Sequence, residues 1–285
     1  MILDSARTFL LNNARLLENR WFDVLFLDGS WEAAFAALKA YQNLDGGFGY
    51  GLEPDKRTPS SQPIDQEVAL VVMDDIGFDP VTAGRICAFL QTITLPDGGV
   101  PYVLPTVADA PRTPWWNTDA NPPASINPTG SIAGLLHKHG FQHPWLERAT
   151  QYCWNIIEGD KTFEVHDALR ARIFLEHVPD RERALKAFKP FKEQVFANGL
   201  ITLDPHASGY VKTVLDWAPT PGSLFRPLFD DQTIQAHLAA LAEQQQSDGG
   251  WPITWTTVSP GAELECRGVL TLRALKILKA YEVIS

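Results

Sequence analysis

Gln245-Gln246-Ser247-Asp248-Gly249-Gly250-Trp251 is the stretch that decides the fold. It reads as the end of a helix, a tight turn and then an aromatic ring. Consecutive glycines permit φ > 0, where a side chain would clash. An Asp ahead of them can bond the backbone and close the turn. The glutamine amide has donors and an acceptor, so it can tie the helix end to a neighbouring chain end. The same phrase stands at Gln42-Asn43-Leu44-Asp45-Gly46-Gly47-Phe48, and from Gln91 to Asp97-Gly98-Gly99-Val100. A weaker echo is Gln194-Val195-Phe196-Ala197-Asn198-Gly199-Leu200. The four glutamines are 49, 103 and 51 residues apart. That is one period with a double-length gap, the mark of a repeat architecture.

Between the turns the pattern is helical. Residues 4–19 read as a first helix and Trp31–Gln42 as the next, with Ser30 as its N-cap. After the polar loop 52–62 comes Ile64–Ile76, whose second half, Val68 to Met73, is apolar on every face; such a helix is buried. Gly77-Phe78-Asp79-Pro80 is a compact joint, with glycine at the helix end, an Asp N-cap and proline at the first helical position. Val81–Gln91 follows as an amphipathic helix. The unit is therefore a buried inner helix, a joint, an outer helix and a Gly-Gly turn. The joint returns at Gly140–Pro144 and at Val178-Pro179-Asp180. Asn127–His139, Phe163–His177 and Glu263–Tyr281 are then inner helices; Trp145–Ile157, Arg181–Val195 and Asp230–Gln246 are outer ones. This predicts an all-α protein, an (α/α)6 barrel or toroid of helical hairpins, one of them incomplete. Long loops at 97–127 and 199–229 interrupt it, and in the second an inner helix is missing or very short.

The bulk numbers narrow the class. A chain of 285 residues, 45% hydrophobic, can bury a large core, and repeats without a linker predict one domain over 1–285. A net charge of −10 and no basic stripe argue against nucleic-acid binding. Cys87, Cys153 and Cys266 are odd in number and scattered, which predicts reduced thiols in the cytoplasm. No apolar run suggests a signal peptide or a membrane span.

The Gln-to-Gly-to-aromatic phrase, best at Gln245–Trp251, resembles the QW repeat of the terpenoid cyclase and protein prenyltransferase β-subunit superfamily, over most of the chain. The resemblance implies the toroid fold. The acid motif of class II terpene cyclases, Asp-x-Asp-Asp, has only Val72-Met73-Asp74-Asp75 as a counterpart, without the first Asp and at the wrong end of its helix. The prenyltransferase zinc ligands have Glu263-Leu264-Glu265-Cys266 and His166 as their nearest match, with the cysteine misplaced. No cofactor is predicted, and zinc stays a minor alternative. Gly249-Gly250-Trp251-Pro252 also resembles a phrase of α/α-toroid pectate lyases.

Inner helices of such a barrel run parallel, so their first turns face one mouth. The candidates for catalysis there are Asp65, Glu67, His166, Asp167, Glu265 and Arg267. Acids at helix N-termini also complement the helix dipole. Several acids around one concavity raise at least one pKa and make a general acid available near neutral pH. Tyr50, Glu53, Trp115, Trp116, Trp217, Arg226 and Trp255 are candidates for binding a small lipid or sugar, while Trp251 reads as a packing plug. Three readings follow. One is an isoprenoid-handling enzyme with acid-initiated cyclisation or isomerisation. Another is a carbohydrate-active lyase or hydrolase, with Arg226 or Arg267 beside paired acids. The third is a non-catalytic binding barrel. A deep apolar lining favours the first, an open site of acids, arginines and exposed aromatics the second, and a filled axis the third.

Overall fold

The computed structural model describes residues 1–285. Twelve α-helices carry the chain: α1 Ile2–Asn13, α2 Leu16–Phe26, α3 Trp31–Lys39, α4 Pro63–Ile76, α5 Pro80–Ile93, α6 Ile126–Lys138, α7 Pro144–Ile157, α8 Val165–His177, α9 Arg181–Ala197, α10 Val214–Trp217, α11 Asp231–Glu243 and α12 Pro260–Ala280. The only sheet is a two-stranded antiparallel ribbon, β1 Val100–Pro101 with β2 Ala124–Ser125. No helix is long and apolar enough to cross a membrane. The fold is all-α, as the repeat predicts, and the helix bounds fall close to those read from the sequence. Two compact units form: Met1–Ser30 with Gly199–Ser285, and Trp31–Asn198.

The three strong Gly-Gly turns share one set of bonds. The first glycine of each lies at positive φ: 90° at Gly46, 96° at Gly98 and 94° at Gly249. The second donates its N–H to the preceding aspartate: Gly47 to Asp45 at 2.9 Å, Gly99 to Asp97 at 3.2 Å and Gly250 to Asp248 at 3.0 Å. Gln42 Nε2 donates to the Gly46 carbonyl at 2.8 Å and Gln245 Nε2 to that of Gly249 at 2.9 Å. In the middle copy the place of that glutamine is taken by Thr94, whose hydroxyl accepts from Trp145 Nε1 at 2.8 Å. Gln91, three residues earlier, is not the tie that the sequence reading made it.

Each turn docks on a neighbouring helix at two positions four residues apart. A Cβ on Gly46 would stand 2.8 Å from the Arg85 carbonyl, and one on Gly98 2.7 Å from that of Arg148. A Cβ on Gly47, Gly99 or Gly250 would meet the ring of Phe89, Tyr152 or Phe9. The turns after α3, α5 and α11 thus sit on α5, α7 and α1. The residue after each turn then donates its N–H to a polar side chain of a further helix, α4, α6 or α12: Phe48 to Gln66 at 3.0 Å, Val100 to Thr129 at 3.1 Å and Trp251 to Thr271 at 3.1 Å. Trp251 is buried and plugs the turn, as expected.

The weaker copy behaves differently. Gly199 has a positive φ, but no atom lies within 4 Å of where its Cβ would be. Gln194 instead accepts from the Phe163 N–H at 3.0 Å, holding the chain that leads into α8. The first helix is also two helices rather than one. Ala14 and Arg15 are extended, with ψ of 163° at each. Asn19 Nδ2 donates to the carbonyls of Leu10, Ala14 and Arg15, supplying donors for carbonyls that the break orphans. Arg15 Nη2 pairs with buried Glu18 at 2.5 Å. The segment 199–229 contains only the four-residue α10 where an inner helix was expected to be missing or short.

Candidate functional site

In the unit Trp31–Asn198, α6 and α8 run in the same direction at close range. A Cβ on Gly130 would stand 2.9 Å from the Arg170 carbonyl, and one on Gly134 2.6 Å from that of Ile173. Rising numbers meet rising numbers, so the helices are parallel; only glycine admits this approach. Glu67, in the N-terminal half of α4, pairs with Arg170 of α8 through Oε1–Nε at 3.0 Å and Oε2–Nη2 at 3.2 Å. An ion pair with one hydrogen bond thus ties the start of α4 to α8.

The segment 50–62 folds back onto the start of α4. Tyr50 and Gly51 turn it with φ of 53° and 71°. The Glu53 N–H then donates to Asp65 Oδ1 at 2.9 Å, and Lys56 Nζ forms an ion pair with Asp65 Oδ2. Lys56 and Asp65 are both 0% exposed. Asp55, 4% exposed, stands beside them. Proline-rich residues 100–127 complete the wall: Thr113 N–H donates to the Asp55 carbonyl at 3.0 Å and Arg57 N–H to that of Pro111 at 2.9 Å. Buried Gln62 accepts from Leu104 N–H and donates to the Thr106 hydroxyl, both at 2.8 Å. A satellite apolar cluster of Ile64, Val103, Val107 and Trp116 lies under this wall, with Tyr102 stacked on Trp116 at 4.9 Å.

The outcome is a buried Lys56–Asp65 pair beside Glu53, on which the Asp55 carboxylate also acts. Asp65 is held by Lys56 and by the Glu53 backbone. Glu53 itself is half-buried, and burial, then the neighbouring Asp55, push its carboxyl up to about 7. Lys56 and the Asp55 N–H pull the other way, less strongly, while Asp65 adds to the rise. Glu53 is thus a carboxylic acid that keeps its proton near neutral pH and retains partial access to solvent.

The other candidates separate. Asp167 pairs with Lys161 at 2.6 Å, and His166 is half-buried on the same turn. Trp115 is exposed beside buried Trp116, so only the first offers a face to a ligand. At the start of α6, buried Asn127 has an Oδ1 without a hydrogen-bond partner. In the other unit, Arg267 donates to Asp248 at 2.8 Å and to the Trp251 carbonyl at 3.2 Å, and lies over the Phe9 ring at 4.5 Å. It clamps the third turn rather than standing beside paired acids. Arg226 binds the Phe229 carbonyl at 2.8 Å and Asp231, again one acid and not two. Trp217 is fully buried against Phe225 and offers no surface to a ligand. Trp255 meets Tyr210 edge-on at 5.8 Å. Glu265 is half-buried and adjoins buried Cys266. No three His, Cys, Asp or Glu side chains are grouped to hold a metal ion. No family model matches the chain, and no curated protein sequence matches it.

Proposed function

We propose that the chain is a carbohydrate-active enzyme, of lyase or hydrolase type, in which Glu53 is the proton donor. One observation carries the reading: a half-buried carboxyl whose proton is retained up to about pH 7, inside a cluster of two further acids and a lysine. A carboxylic acid raised to that range is suited to protonating a leaving-group oxygen as a C–O bond breaks. The groups that act on Glu53 are charged: Asp55, Lys56 and Asp65. Tyr50, three residues from Glu53 and 55% exposed, offers a face on which a sugar ring can stack.

The isoprenoid reading has its own support in the repeated turns. Three copies that share the aspartate-to-glycine bond, the last seated on α1, are what the toroid of the terpenoid cyclase and prenyltransferase-like proteins requires. We hold to that architecture as our proposal. A shared fold does not fix the chemistry, and a carboxyl that titrates near 7 is a weak acid for protonating an alkene.

The test is turnover of oligosaccharide and uronide panels, alongside isoprenoid diphosphates, by the wild-type chain and Glu53→Gln. The acid must be protonated to act. Activity on a sugar should therefore be full below pH 7 and fall as pH rises through about 7. Glu53→Gln should lower kcat by about 100-fold or more and remove that alkaline limb. Turnover of isoprenoids alone, or sugar turnover indifferent to Glu53→Gln, would reject the reading.

A further inference from the structure

A second place in the unit Trp31–Asn198 carries chemistry that Glu53 does not use. The turn after α3 and the middle of α5 enclose an open pocket of about 570 Å³. Lys39, Gln42, Asn43, Leu44, Asp45 and Arg85 line it. Two cations stand here in a chain whose net charge is −10. We infer that this pocket binds a small dianionic oxyanion, phosphate or a phosphate monoester, between Lys39 and Arg85.

The repeat supplies an internal comparison. Arg85 and Arg148 hold the same place, each under the first glycine of a turn. Arg148 turns its guanidinium back and donates to the Leu95 carbonyl of that turn at 3.3 Å. The Arg85 side chain makes no hydrogen bond or ion pair within the chain, and Arg85 borders the pocket instead. The acids near the pocket are committed. Asp45 accepts from the Gly47 N–H at 2.9 Å and the Ser61 hydroxyl at 2.8 Å. Asp79 caps α5 by accepting from Thr82 N–H at 2.7 Å. Neither forms an ion pair with Arg85. Lys39, whose ammonium donates to the uncharged Gln42 amide oxygen, is pushed down in pKa by burial and then by Arg85, with Asp79 opposing. A dianion between the two cations relieves that repulsion. Exposed Leu44 adds an apolar wall beside the charge, which suits an ester with a short carbon chain.

The experiment is an NMR titration of the full-length protein with inorganic phosphate, sodium chloride being adjusted to hold ionic strength constant. The Gly46 amide and the Arg85 side chain are the reporters. Saturable shifts are expected. Arg85→Gln should weaken binding about tenfold, the scale of one charge-assisted hydrogen bond, while Arg148→Gln leaves it unchanged. Arg85 is exposed, so its variant should fold; unaltered shifts in α6 and α8 check this. Acetate at the same ionic strength should bind more weakly. Shifts that stay linear in phosphate, equal response to acetate, or phosphate binding that survives Arg85→Gln would each overturn the inference.

Discussion

Glu53 acts through neighbours that its own stretch of sequence does not reveal. In Leu52-Glu53-Pro54-Asp55-Lys56 it looks like one charge in a polar loop. Its proton affinity comes from burial and from Asp55 and Asp65, the last twelve residues on and brought in by the bond from the Glu53 N–H. The same linkage sets a stability effect. Folded, the carboxyl titrates near 7; unfolded, it titrates near its ordinary value of 4.5. The folded state therefore holds a proton that the unfolded state releases, so stability is lost as pH rises between those values and stays lost above them. Glu53→Gln keeps the shape and removes the charge. It should leave stability at pH 4 nearly unchanged and raise it at pH 8 by roughly 1–3 kcal/mol, measured by urea unfolding at the two pH values. A gain at pH 8 with loss of activity marks a site strained for function. A loss at pH 8 would show that the carboxylate is instead a structural anchor.

At the scale of elements, the Gly-Gly turn was legible because its requirements are local. Positive φ, an aspartate two residues before the bonded N–H and room for a close neighbour all demand particular residue types in a fixed order. The joint Gly77-Phe78-Asp79-Pro80 was legible for the same reason, and Asp79 does cap α5. What the sequence could not give was the partner. Gln91 and Gln194 have the right spacing, yet Thr94 stands in the place of the first, bonded to Trp145 rather than to the turn, and the second ties a different segment. The break at Ala14 was hidden because it has no glycine or proline; it depends on Asn19 reaching back to three carbonyls. Docking can be separated from backbone strain by two glycines of similar φ. Gly249 lies at 94° against the Ser5 backbone, where a Cβ has no room; Gly209 lies at 86° with nothing within 4 Å. Gly209→Ala should cost only the left-handed strain of about 1–2 kcal/mol. Gly249→Ala adds displacement of α1 and should cost about 3 kcal/mol or more. Paired denaturant melts decide it, and equal losses would mean that the turn does not depend on its seat.

At the scale of the whole molecule, one of the two compact units is assembled from the two ends of the chain. Residues 199–285 contain only α10, α11 and α12 as α-helices, and their best-formed turn, Gln245 to Trp251, has its seat on Ser5 and Phe9. Gln245 also donates to the Ile2 carbonyl at 2.9 Å, and Lys279 reaches the carbonyl of Leu25. Phe9, Leu10, Leu17 and Phe22 are fully or almost fully buried. Without residues 1–30, α12 loses both α1 and α2 as packing partners, and the Gly250 turn loses the ring that covers it. A fragment 199–285 alone should therefore lack a cooperative transition, since a core missing half of its apolar wall cannot offset the conformational entropy of ordering the chain. Fragment 31–198 is continuous and holds two of the three complete turns, the α4–α6–α8 contacts and the Glu53 cluster. It should fold alone, with helical circular dichroism and a cooperative melt. Adding a peptide of residues 1–30 to fragment 199–285 should restore helix in saturable fashion, because the bound peptide stabilises only the folded form. A cooperative melt of 199–285 without the peptide, or a disordered fragment 31–198, would show that stability is distributed along the chain in some other way.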